Sequence, residues 1–336
     1  MTYEDVIRKN CESYSPSWWP KFAYHYTDVT NAVSILSSGY LYSRMQAEKL
    51  GVMKNENASR QVIDMTEAST TSFARFYFRP LTPTQYHNEG YKHVDIRYQG
   101  DKEANVPVPV FLLFDLGTLL NMENTRFSAL GQAGHGNPTY QGVEAFARLP
   151  FDKIYSDGYC DQDTLQYRHA EILYPEGFRI DQALKGVFCR NTCERSTLLN
   201  ILKERSWDTF SRYKDRIRVA RDKTYYRNGL FVESALFHDG IFSFAFSEAP
   251  AKNAYARKYA KGILSPITMC FLFTWSNSER IIAERMIEIE IDYIKSRQLG
   301  FRMQAFDGAT LLKSTVTIDH QILCVAEQSL LNGEII

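Results

Sequence analysis

The chain has 336 residues, enough for one large domain or two ordinary ones, and 44% of them are hydrophobic. Its formal net charge is zero, which excludes a general electrostatic attraction to nucleic acid or acidic membranes, so local charge must carry any such interaction. The longest apolar run, residues 267–275, has the length of a strand and is too short for a membrane span. Residues 1–5 lack the basic and apolar regions of a signal peptide, so we expect a cytoplasmic protein with no membrane partner.

The cysteines predict neither a metal site nor a disulfide framework. They occur at positions 11, 160, 189, 193, 270 and 324, without a CxxC pair. Cys189 and Cys193 lie four residues apart, but no second pair or nearby histidine completes a zinc-binding set. We therefore expect reduced thiols and no metal cofactor.

The first half of the chain predicts a mixture of strands, helices and polar loops. Residues 1–20 are expected to form a peripheral leader, and residues 31–38 predict a helix that Gly39 ends. Residues 126–140 contain three glycines and a proline, which is typical of a mobile loop. The other segments, in chain order, are a strand at 22–26, a polar and partly helical stretch at 46–73, a strand at 73–78, a loop at 84–105, an apolar strand at 106–115 and a strand at 166–174.

The second half is predicted to be rich in β-strands. After a helix at 197–210, strands are expected at 229–237, 241–246, 267–275, 285–293 and 314–326. The sequence His238-Asp239-Gly240 between two of them is a hairpin signal. We therefore predict an α+β N-terminal domain at residues 1–180 and a β-rich accessory domain at residues 181–336, with a linker or helix at 180–210.

Three runs in the N-terminal half carry residue types that are common in enzyme sites. Glu171 lies among apolar and aromatic residues that predict a buried strand, and a carboxylate there needs a partner or a task. The second run is Tyr24-His25-Tyr26-Thr27. The third, residues 74–83, reads Ala-Arg-Phe-Tyr-Phe-Arg-Pro-Leu-Thr-Pro. Together the runs indicate an enzyme that uses NAD.

The N-terminal half, about residues 22–178, resembles the DarT family of nucleic-acid ADP-ribosyltransferase toxins, which share the fold of diphtheria-toxin-like and PARP-like transferases. The run His25-Tyr26-Thr27 and the helix after it resemble the family's opening strand and helix, and Arg60 falls where the family has an active-site arginine. Residues 76–83 resemble its aromatic strand and proline-flanked turn. Residues 168–173, Arg-His-Ala-Glu-Ile-Leu, resemble the strand that bears its catalytic glutamate. The order and approximate spacing of these segments carry the resemblance.

The resemblance implies transfer of ADP-ribose from NAD, in which nicotinamide leaves the anomeric carbon and positive charge develops there. A carboxylate near the ribose stabilises that charge, holds a ribose hydroxyl and can accept a proton from the attacking group. We assign this catalytic role to Glu171, and we expect Arg60 to contact a phosphate or to position the acceptor. The rival interpretations are a Glu171 side chain that points to water and an Arg60 that lies on the surface.

The resemblance also implies the residues that bind NAD. His25 and Thr27 are expected to form hydrogen bonds with it, and Tyr77 is expected to lie against the nicotinamide ring, because aromatic faces stack on such rings. Arg44 is a second candidate for the role of Arg60. A core histidine and ordinary core packing are the rival interpretations for His25 and Tyr77.

Acceptor binding is predicted first around the turn that follows Tyr77. Arg79 and Gln85 belong to this turn, which the resemblance implies touches the acceptor base. The turn reads Pro-Leu-Thr-Pro-Thr-Gln where the family has Arg-Ser-Pro-Met, and Ala74-Arg75 stands where the family has Val-Pro. The altered turn puts the usual thymidine acceptor in question. His135 lies in the glycine-containing loop, which could close over the substrate and aid proton transfer.

Two further stretches, residues 212–227 and 255–261, interleave basic and aromatic residues. Cationic groups follow phosphates and aromatic rings stack on unpaired bases, so these stretches predict contacts with nucleic acid, with Arg216 and Tyr226 as the candidates. A solvated basic face is the rival interpretation.

We therefore expect an intracellular toxin enzyme that transfers ADP-ribose from NAD to a base of single-stranded DNA or RNA, releases nicotinamide and needs no metal. The relatives are paired with antitoxins, so an antitoxin partner is expected. A second resemblance, to the CmdT-type toxins, implies messenger RNA as acceptor and a chaperone-linked system of phage defence. Two alternatives stay open: a protein ADP-ribosyltransferase, and a non-catalytic protein on a transferase fold that binds nucleic acid or a partner.

Overall fold

The computed structural model describes residues 1–52, 70–97, 105–133, 137–248, 264–295 and 297–330. In chain order its α-helices are α1 (Tyr3–Ser13), α2 (Val29–Ser38), α3 (Arg44–Lys49), α4 (Pro83–Asn88), α5 (Leu116–Leu120), α6 (Val143–Ala147), α7 (Phe151–Ile154), α8 (Gln162–Tyr167), α9 (Thr192–Arg205) and α10 (Trp207–Tyr213). Its strands are β1 (Phe22–Asp28), β2 (Tyr40–Tyr42), β3 (Phe73–Tyr77), β4 (Pro109–Asp115), β5 (Arg126–Ser128), β6 (Glu171–Pro175), β7 (Gly177–Arg179), β8 (Leu184–Cys189), β9 (Ile217–Val219), β10 (Val232–His238), β11 (Ile241–Phe246), β12 (Ile267–Ser276), β13 (Ile281–Ile291), β14 (Gln298–Arg302), β15 (Leu311–Ile318) and β16 (Gln321–Ser329). None of the helices in these ranges is long and apolar enough to cross a membrane.

Seven strands form the central sheet of the N-terminal half, in the order β5-β6-β3-β1-β4-β8-β9. β1 pairs with β4 along its full length of seven residues. On its other side β1 meets β3 at one register pair, Tyr24↔Tyr77. β3 in turn pairs with β6 along all five of its residues. The sheet therefore has two well-paired halves that part between β1 and β3, and we call this gap the split.

The first 20 residues belong to the domain core, so the prediction of a peripheral leader is wrong. Thr2 and Asp5 form a capping box that starts α1. Val6 of α1 is buried, and the Trp19 side chain is 0% exposed within the main hydrophobic core. Burial of a tryptophan removes a large apolar surface from water, so the segment completes the core instead of lying outside it.

The predicted strand at 166–174 begins later, at Glu171. Residues 166 and 167 instead end α8, a helix whose start is capped by the Asp161 carboxylate, which accepts a hydrogen bond from the main chain. The Arg168 guanidinium donates to the carbonyl of Gly158 at 2.8 Å and anchors the turn between α8 and β6. Glu171 is therefore the first residue of its strand, at the edge of the paired region.

The core of the N-terminal half continues beyond residue 180, where the sequence analysis divides the chain. β8 pairs with β4, and β9 runs parallel to β8, so both strands belong to the central sheet. Leu198 of α9 and Tyr213 of α10 lie in the same hydrophobic core as β1 and β6. The physical reason is that β4, buried at nearly every residue, needs a hydrogen-bonded neighbour on both edges.

The C-terminal part is rich in β-strands, as predicted, and contains two sheets. One has the order β10-β11-β14 and the other has the order β13-β12-β15-β16. Their facing sides share a core of aromatic rings, which includes Phe244, Phe271, Phe273 and Phe301. The alternation of the strands explains this core, because every second side chain points to the facing sheet.

Turn residues decide two details of these sheets. Asp239 and Gly240 have φ values of 49° and 72° and join β10 to β11, which confirms the predicted hairpin. The predicted strand at 314–326 is instead two strands, because Asp319 and His320 also have positive φ values, 49° and 62°, and reverse the chain between β15 and β16. β14 is not predicted from the sequence.

A buried carboxylate, that of Glu89, fixes the segment that leads from the central sheet into β10. Its side chain is 0% exposed and accepts hydrogen bonds from the main-chain N–H groups of residues 226, 227 and 228 at 3.0, 2.6 and 3.3 Å. The Arg190 guanidinium lies 3.5 Å away and supplies the opposite charge. A carboxylate is tolerated in a protein interior only with such partners, so this cluster ties the two halves of the chain together.

Candidate active site

Glu171 begins β6 on the far side of the split from β1. Its side chain is 2% exposed. Its cross-strand neighbours are Tyr77 on β3 and Ser128 on β5, so the three side chains share one face of the sheet. The burial of Glu171 excludes the rival interpretation of a glutamate that points to water.

Arg75 binds both oxygens of the Glu171 carboxylate. Its Nε donates to Oε2 at 2.8 Å and its Nη2 donates to Oε1 at 2.5 Å. Arg75 lies two residues before Tyr77 on β3, so the alternation of the strand brings it to the same face. Burial opposes the charge of Arg75, but the Glu171 carboxylate outweighs burial, and the pKa of Arg75 lies above its usual value. The Arg75 side chain is 29% exposed, so the ion pair is open to solvent on the arginine side.

Tyr77 on β3 lies between Glu171 on β6 and Tyr24, the residue of β1 that pairs with β3. Burial, and after it the charge of Glu171, raises the pKa of Tyr77, so its phenol is neutral at pH 7. Its ring is half-buried and packs against an aromatic cluster that contains Tyr24 and Phe111. The face of an aromatic ring beside a carboxylate is a suitable neighbour for a flat cationic ring, and the contact of Tyr77 with nicotinamide stays a prediction.

His25 reaches into the split from β1. Its Nδ1 lies 3.0 Å from the main-chain carbonyl of Arg75, and because a carbonyl accepts, Nδ1 carries the proton. Burial lowers the pKa of His25 to about 4, so the ring is neutral at pH 7 and Nε2 is a hydrogen-bond acceptor. Thr27, two residues further along β1, is 1% exposed and shares the face of His25. The structure thus brings His25 to β3 but not into contact with Glu171.

His169 and the glycine-containing loop lie beside Glu171. Burial, then the charges of Arg75 and His87, lower the pKa of His169 to about 4. A Cβ atom at Gly131 would lie 2.9 Å from the Cβ of His169, so the loop packs directly on this histidine and has no room for a larger residue. The described start of the loop therefore packs against His169, two residues before Glu171, and the closing role of the loop stays a prediction. His135 lies outside the described residues.

Of the two arginines predicted to contact phosphates, Arg44 lies within the described residues. Arg44 is the first residue of α3, is half-buried and donates from Nε to Glu48 at 3.0 Å. Arg60 lies outside the described residues. Their roles stay predictions.

Gln85 and Tyr226, two predicted acceptor-binding residues, turn inward and hold the proline-flanked turn. Gln85 is 0% exposed, and its Oε1 accepts a hydrogen bond from the Leu81 N–H at 2.7 Å. The Tyr226 hydroxyl donates to the Leu81 carbonyl at 2.7 Å, and burial raises the pKa of Tyr226 to about 12. Both side chains therefore fix the turn, and the parts left for an acceptor are the half-buried Leu81, Pro83 and Thr84.

Arg79 supports the same turn from the core. It is 1% exposed, and its guanidinium carbon lies 4.2 Å from the centre of the Trp19 ring. Its Nη1 donates to the carbonyl of Ile154 at 3.1 Å. Burial, then the charge of Arg168, lowers the pKa of Arg79 to about 10. The structure therefore gives Arg79 a place beneath the turn and not on its surface.

In the stretch 212–227 the cations point outward and the rings point inward. Tyr213 is 2% exposed, and the Tyr225 hydroxyl donates to the Phe188 carbonyl at 2.6 Å, so these rings pack in the protein instead of facing bases. Arg216 is exposed beside β9, which lies five strand positions from β6 in the central sheet. At about 4.8 Å per position, Arg216 is more than about 20 Å from Glu171. The second basic stretch, residues 255–261, lies outside the described residues.

Arg75, His169 and Ser128 are not among the site residues predicted from the sequence. A signal for Arg75 is present, because residues 75 and 77 of one strand face the same side and the resemblance already places residue 77 in the site. His169 lies two residues before Glu171 and offers a weaker signal. Ser128 becomes a neighbour of Glu171 only through the pairing of β5 with β6, which the sequence does not reveal.

The arrangement combines a buried carboxylate, its arginine partner, a neutral tyrosine and neutral histidines. Such a set can stabilise a developing positive charge, hold a hydroxyl group and accept a proton. In the part of the chain that the structure describes, no group of three or more His, Cys, Asp or Glu side chains could hold a metal ion.

Comparison with known proteins assigns the chain to a family. A family model described as ssDNA thymidine ADP-ribosyltransferase, DarT, matches residues 24–226, which is more than half of the chain. A search of curated proteins found no match. Thermus sp. 2.9 DarT in complex with NAD+ aligns with a TM-score of 0.46 and 18% identity, over 62% of this chain and 98% of that one.

Two further solved structures align with this chain at similarly low sequence identity. Thermus sp. 2.9 DarT in complex with ADP-ribosylated ssDNA has a TM-score of 0.48 and 18% identity, over 62% of this chain and 97% of that one. Thermosipho africanus DarTG in complex with ADP-ribose has a TM-score of 0.47 and 15% identity, over 65% of this chain and 53% of that one. The family match confirms the predicted transferase-type N-terminal fold, the enzyme class and NAD as co-substrate. The chain belongs to the DarT family of ssDNA thymidine ADP-ribosyltransferases.

Proposed function

We propose that Glu171 is the catalytic residue with which this chain transfers ADP-ribose from NAD to a base of single-stranded DNA. The observation that carries the proposal is a buried carboxylate, paired with Arg75, beside the split of the central sheet. In the reaction the bond between the anomeric carbon and nicotinamide breaks, and the Glu171 carboxylate stabilises the positive charge that develops. The base then bonds to the anomeric carbon, and Glu171 takes up the proton that the base loses.

NAD is proposed to bind along the split. Its ribose hydroxyl groups can donate to Nε2 of His25, which is a neutral acceptor, and can bond to the hydroxyl of Thr27. The ring of Tyr77 is proposed as the wall for nicotinamide. Arg44 and Arg60 are the proposed contacts of the diphosphate, because arginine matches phosphate oxygens in charge and geometry.

Single-stranded DNA is the proposed acceptor, in line with the description of the family model. An unpaired base can reach the carboxylate without the energy of extrusion from a duplex. RNA is the second acceptor to test, because the turn at residues 80–85 departs from the family pattern. We propose that Leu81, Pro83 and Thr84 of this turn face the base, with Gln85, Arg79 and Tyr226 holding them in place, and that His135 approaches it from the loop.

Arg216 and the neighbouring exposed cations are proposed to hold a distant part of the strand. Phosphate contacts of this kind give an affinity that falls steeply with salt. This basic edge lies at β9, so a nucleic acid that reached both β9 and Glu171 would cross the central sheet.

We further propose that the enzyme acts as a cytoplasmic toxin whose partner is an antitoxin. An enzyme that modifies nucleic acid in its own cell needs restraint. In a system of the CmdT type, a chaperone would join the antitoxin and messenger RNA would be the acceptor.

The experiment is an acceptor assay with NAD that carries a label on its adenylate part. The wild type, Glu171→Gln and a control variant, Glu176→Gln, are each given matched single-stranded DNA and RNA oligonucleotides and a protein extract. Glu176 lies exposed directly after β6 and is therefore a control close to Glu171 in the chain. We expect label on DNA with the wild type and the control, and a loss of at least about 100-fold with Glu171→Gln.

Each other outcome changes a defined part of the proposal. Label on RNA alone would replace the acceptor, and label on protein alone would replace the nucleic-acid function with protein ADP-ribosylation. A folded Glu171→Gln variant with full activity would overturn the catalytic assignment. No label on any acceptor, with NAD bound, would favour the non-catalytic alternative.

A further inference from the structure

Arg75 contacts the proposed catalytic carboxylate from a position where the family pattern has proline, since this chain reads Ala74-Arg75 in place of Val-Pro. We propose that Arg75 is a positioning residue that holds the Glu171 carboxylate charged and aimed at the ribose of NAD. This inference rests on the proposed role of Glu171 and adds a residue to that site.

The geometry of the pair supports a positioning role. Nε and Nη2 of Arg75 each donate to a different oxygen of Glu171, which fixes the plane of the carboxylate as well as its distance. Each carboxylate oxygen keeps a second lone pair, which can accept a hydrogen bond from a ribose hydroxyl or take up a proton. The Arg75 backbone is fixed too, because its carbonyl accepts the hydrogen bond from His25. Arg75 is therefore held from both sides of the split.

The charges around Glu171 assign the counter-ion role to Arg75. The titratable and charged groups that interact with it from the described elements are Arg75 and Tyr77 on β3, while His169 lies two residues before it and is itself near Arg75 and His87. Tyr77 and His169 are neutral at pH 7, and Ser128 on β5 carries no charge. Without Arg75, the carboxylate would be a nearly buried charge deprived of its bidentate partner, with nothing to fix its plane.

A competing function for the same contact is a latch that blocks Glu171 until a substrate displaces Arg75. The two functions predict opposite results. Loss of a positioning residue slows the transfer, whereas loss of a latch accelerates it. The bidentate geometry and the free lone pairs favour positioning.

The test compares Arg75→Gln and Arg75→Lys with the wild type in the full chain, with single-stranded DNA and NAD as substrates from pH 5 to pH 9. Arg75→Gln is expected to lower kcat by about tenfold or more while the KM for NAD changes little, because the carboxylate loses the two hydrogen bonds that fix its plane. Arg75→Lys keeps the positive charge but cannot donate in parallel to both carboxylate oxygens, so its kcat is expected to lie between those of the wild type and Arg75→Gln. Arg126→Gln is the control, because Arg126 is exposed on the neighbouring strand β5.

A second measurement does not depend on activity. Proteins with 13C-labelled glutamate carboxyl groups are compared by NMR at pH 7, and the Glu171 signal is assigned by its absence in Glu171→Gln. Arg75→Gln is expected to shift this signal, because the carboxylate loses both hydrogen bonds from the guanidinium, whereas Arg126→Gln leaves it in place. An unchanged signal, or a faster transfer in Arg75→Gln, would overturn the proposal. If the wild type modifies no acceptor and Arg75→Gln still shifts the signal, Arg75 remains the partner of Glu171 and the proposed function is removed instead.

Discussion

His25 and Arg75 join the two halves of the central sheet where the strands that carry them no longer pair. The Nδ1 of His25 donates to the main-chain carbonyl of Arg75 at 3.0 Å, and the Arg75 side chain binds Glu171 on the next strand. One side-chain contact thus replaces the missing ladder between β1 and β3. The consequence is that the groups proposed for NAD binding and for catalysis depend on one another for their positions.

The two nitrogens of His25 can be tested separately. His25→Asn is expected to keep a donor near the position of Nδ1 and to lose Nε2, so the fold should stay and NAD affinity should fall by about tenfold, the effect of one lost hydrogen bond. His25→Phe removes both groups and should also lower the unfolding free energy by about 1–3 kcal/mol, because the Arg75 carbonyl loses its partner. Calorimetric titration with NAD and urea unfolding measure the two effects. Equal NAD affinity in His25→Asn and the wild type would remove His25 from the binding site.

The unfolding free energy should fall as the pH drops from about 6.5 to about 4. Both His25 and His169 have a pKa of about 4 in the folded protein, against 6.5 for an ordinary histidine. In this window the unfolded chain binds the extra protons, so the folded state loses stability, by about 1.4 kcal/mol for each pKa unit of difference. Urea unfolding at pH 7.5, 6 and 5 measures the slope. His169→Asn should show a smaller slope, and an unchanged slope would contradict the burial of its ring.

Gly131→Val should impair transfer more than folding. A Cβ at this position meets the Cβ of His169 at 2.9 Å, so the larger side chain must push the loop away from the residues before Glu171. We expect a loss of at least about tenfold in kcat/KM with a change in unfolding free energy of about 1–3 kcal/mol. Gly186→Ala is the control, because a Cβ there meets no atom closer than 3.7 Å. The two variants should therefore differ in single-turnover transfer to DNA, and equal activity would separate the loop from the site.

Glu89→Gln should lower the free energy of unfolding by about 3–5 kcal/mol. It should leave the rate of ADP-ribose transfer by the folded enzyme unchanged. The amide cannot accept as many hydrogen bonds as the carboxylate, and it leaves the charge of Arg190 with one partner fewer. Glu204→Gln is the matched control, since Glu204 is 45% exposed and pairs with Lys313 on the surface. The control should change the unfolding free energy by less than about 1 kcal/mol. Comparable urea midpoints for the two variants would show that the Glu89 cluster does not hold the segment at residues 226–228.

Several features follow from the sequence because they depend on neighbours along the chain. The alternation of strands, the hairpin at Asp239-Gly240 and the order of the motifs around His25, Tyr77 and Glu171 are all local signals. Helix starts are local as well, but a capping residue is easily overlooked, and this is why residues 166 and 167 end a helix where a strand is predicted. The burial of Trp19 cannot be predicted from its neighbours along the chain, because it depends on a core assembled from distant strands.

The sequence by itself predicted the family and the reaction type, which the family match confirms, and it pointed to the carboxylate at position 171, because the order of the motifs along the chain carries the resemblance. Only the tertiary structure decided which side chains touch that carboxylate and which face inward. Arg75 reaches Glu171 across 96 residues of chain through the pairing of β3 with β6, while Arg79 and Gln85 turn into the interior. Strand register and burial depend on contacts between distant segments, and charge or motif along the chain does not specify them.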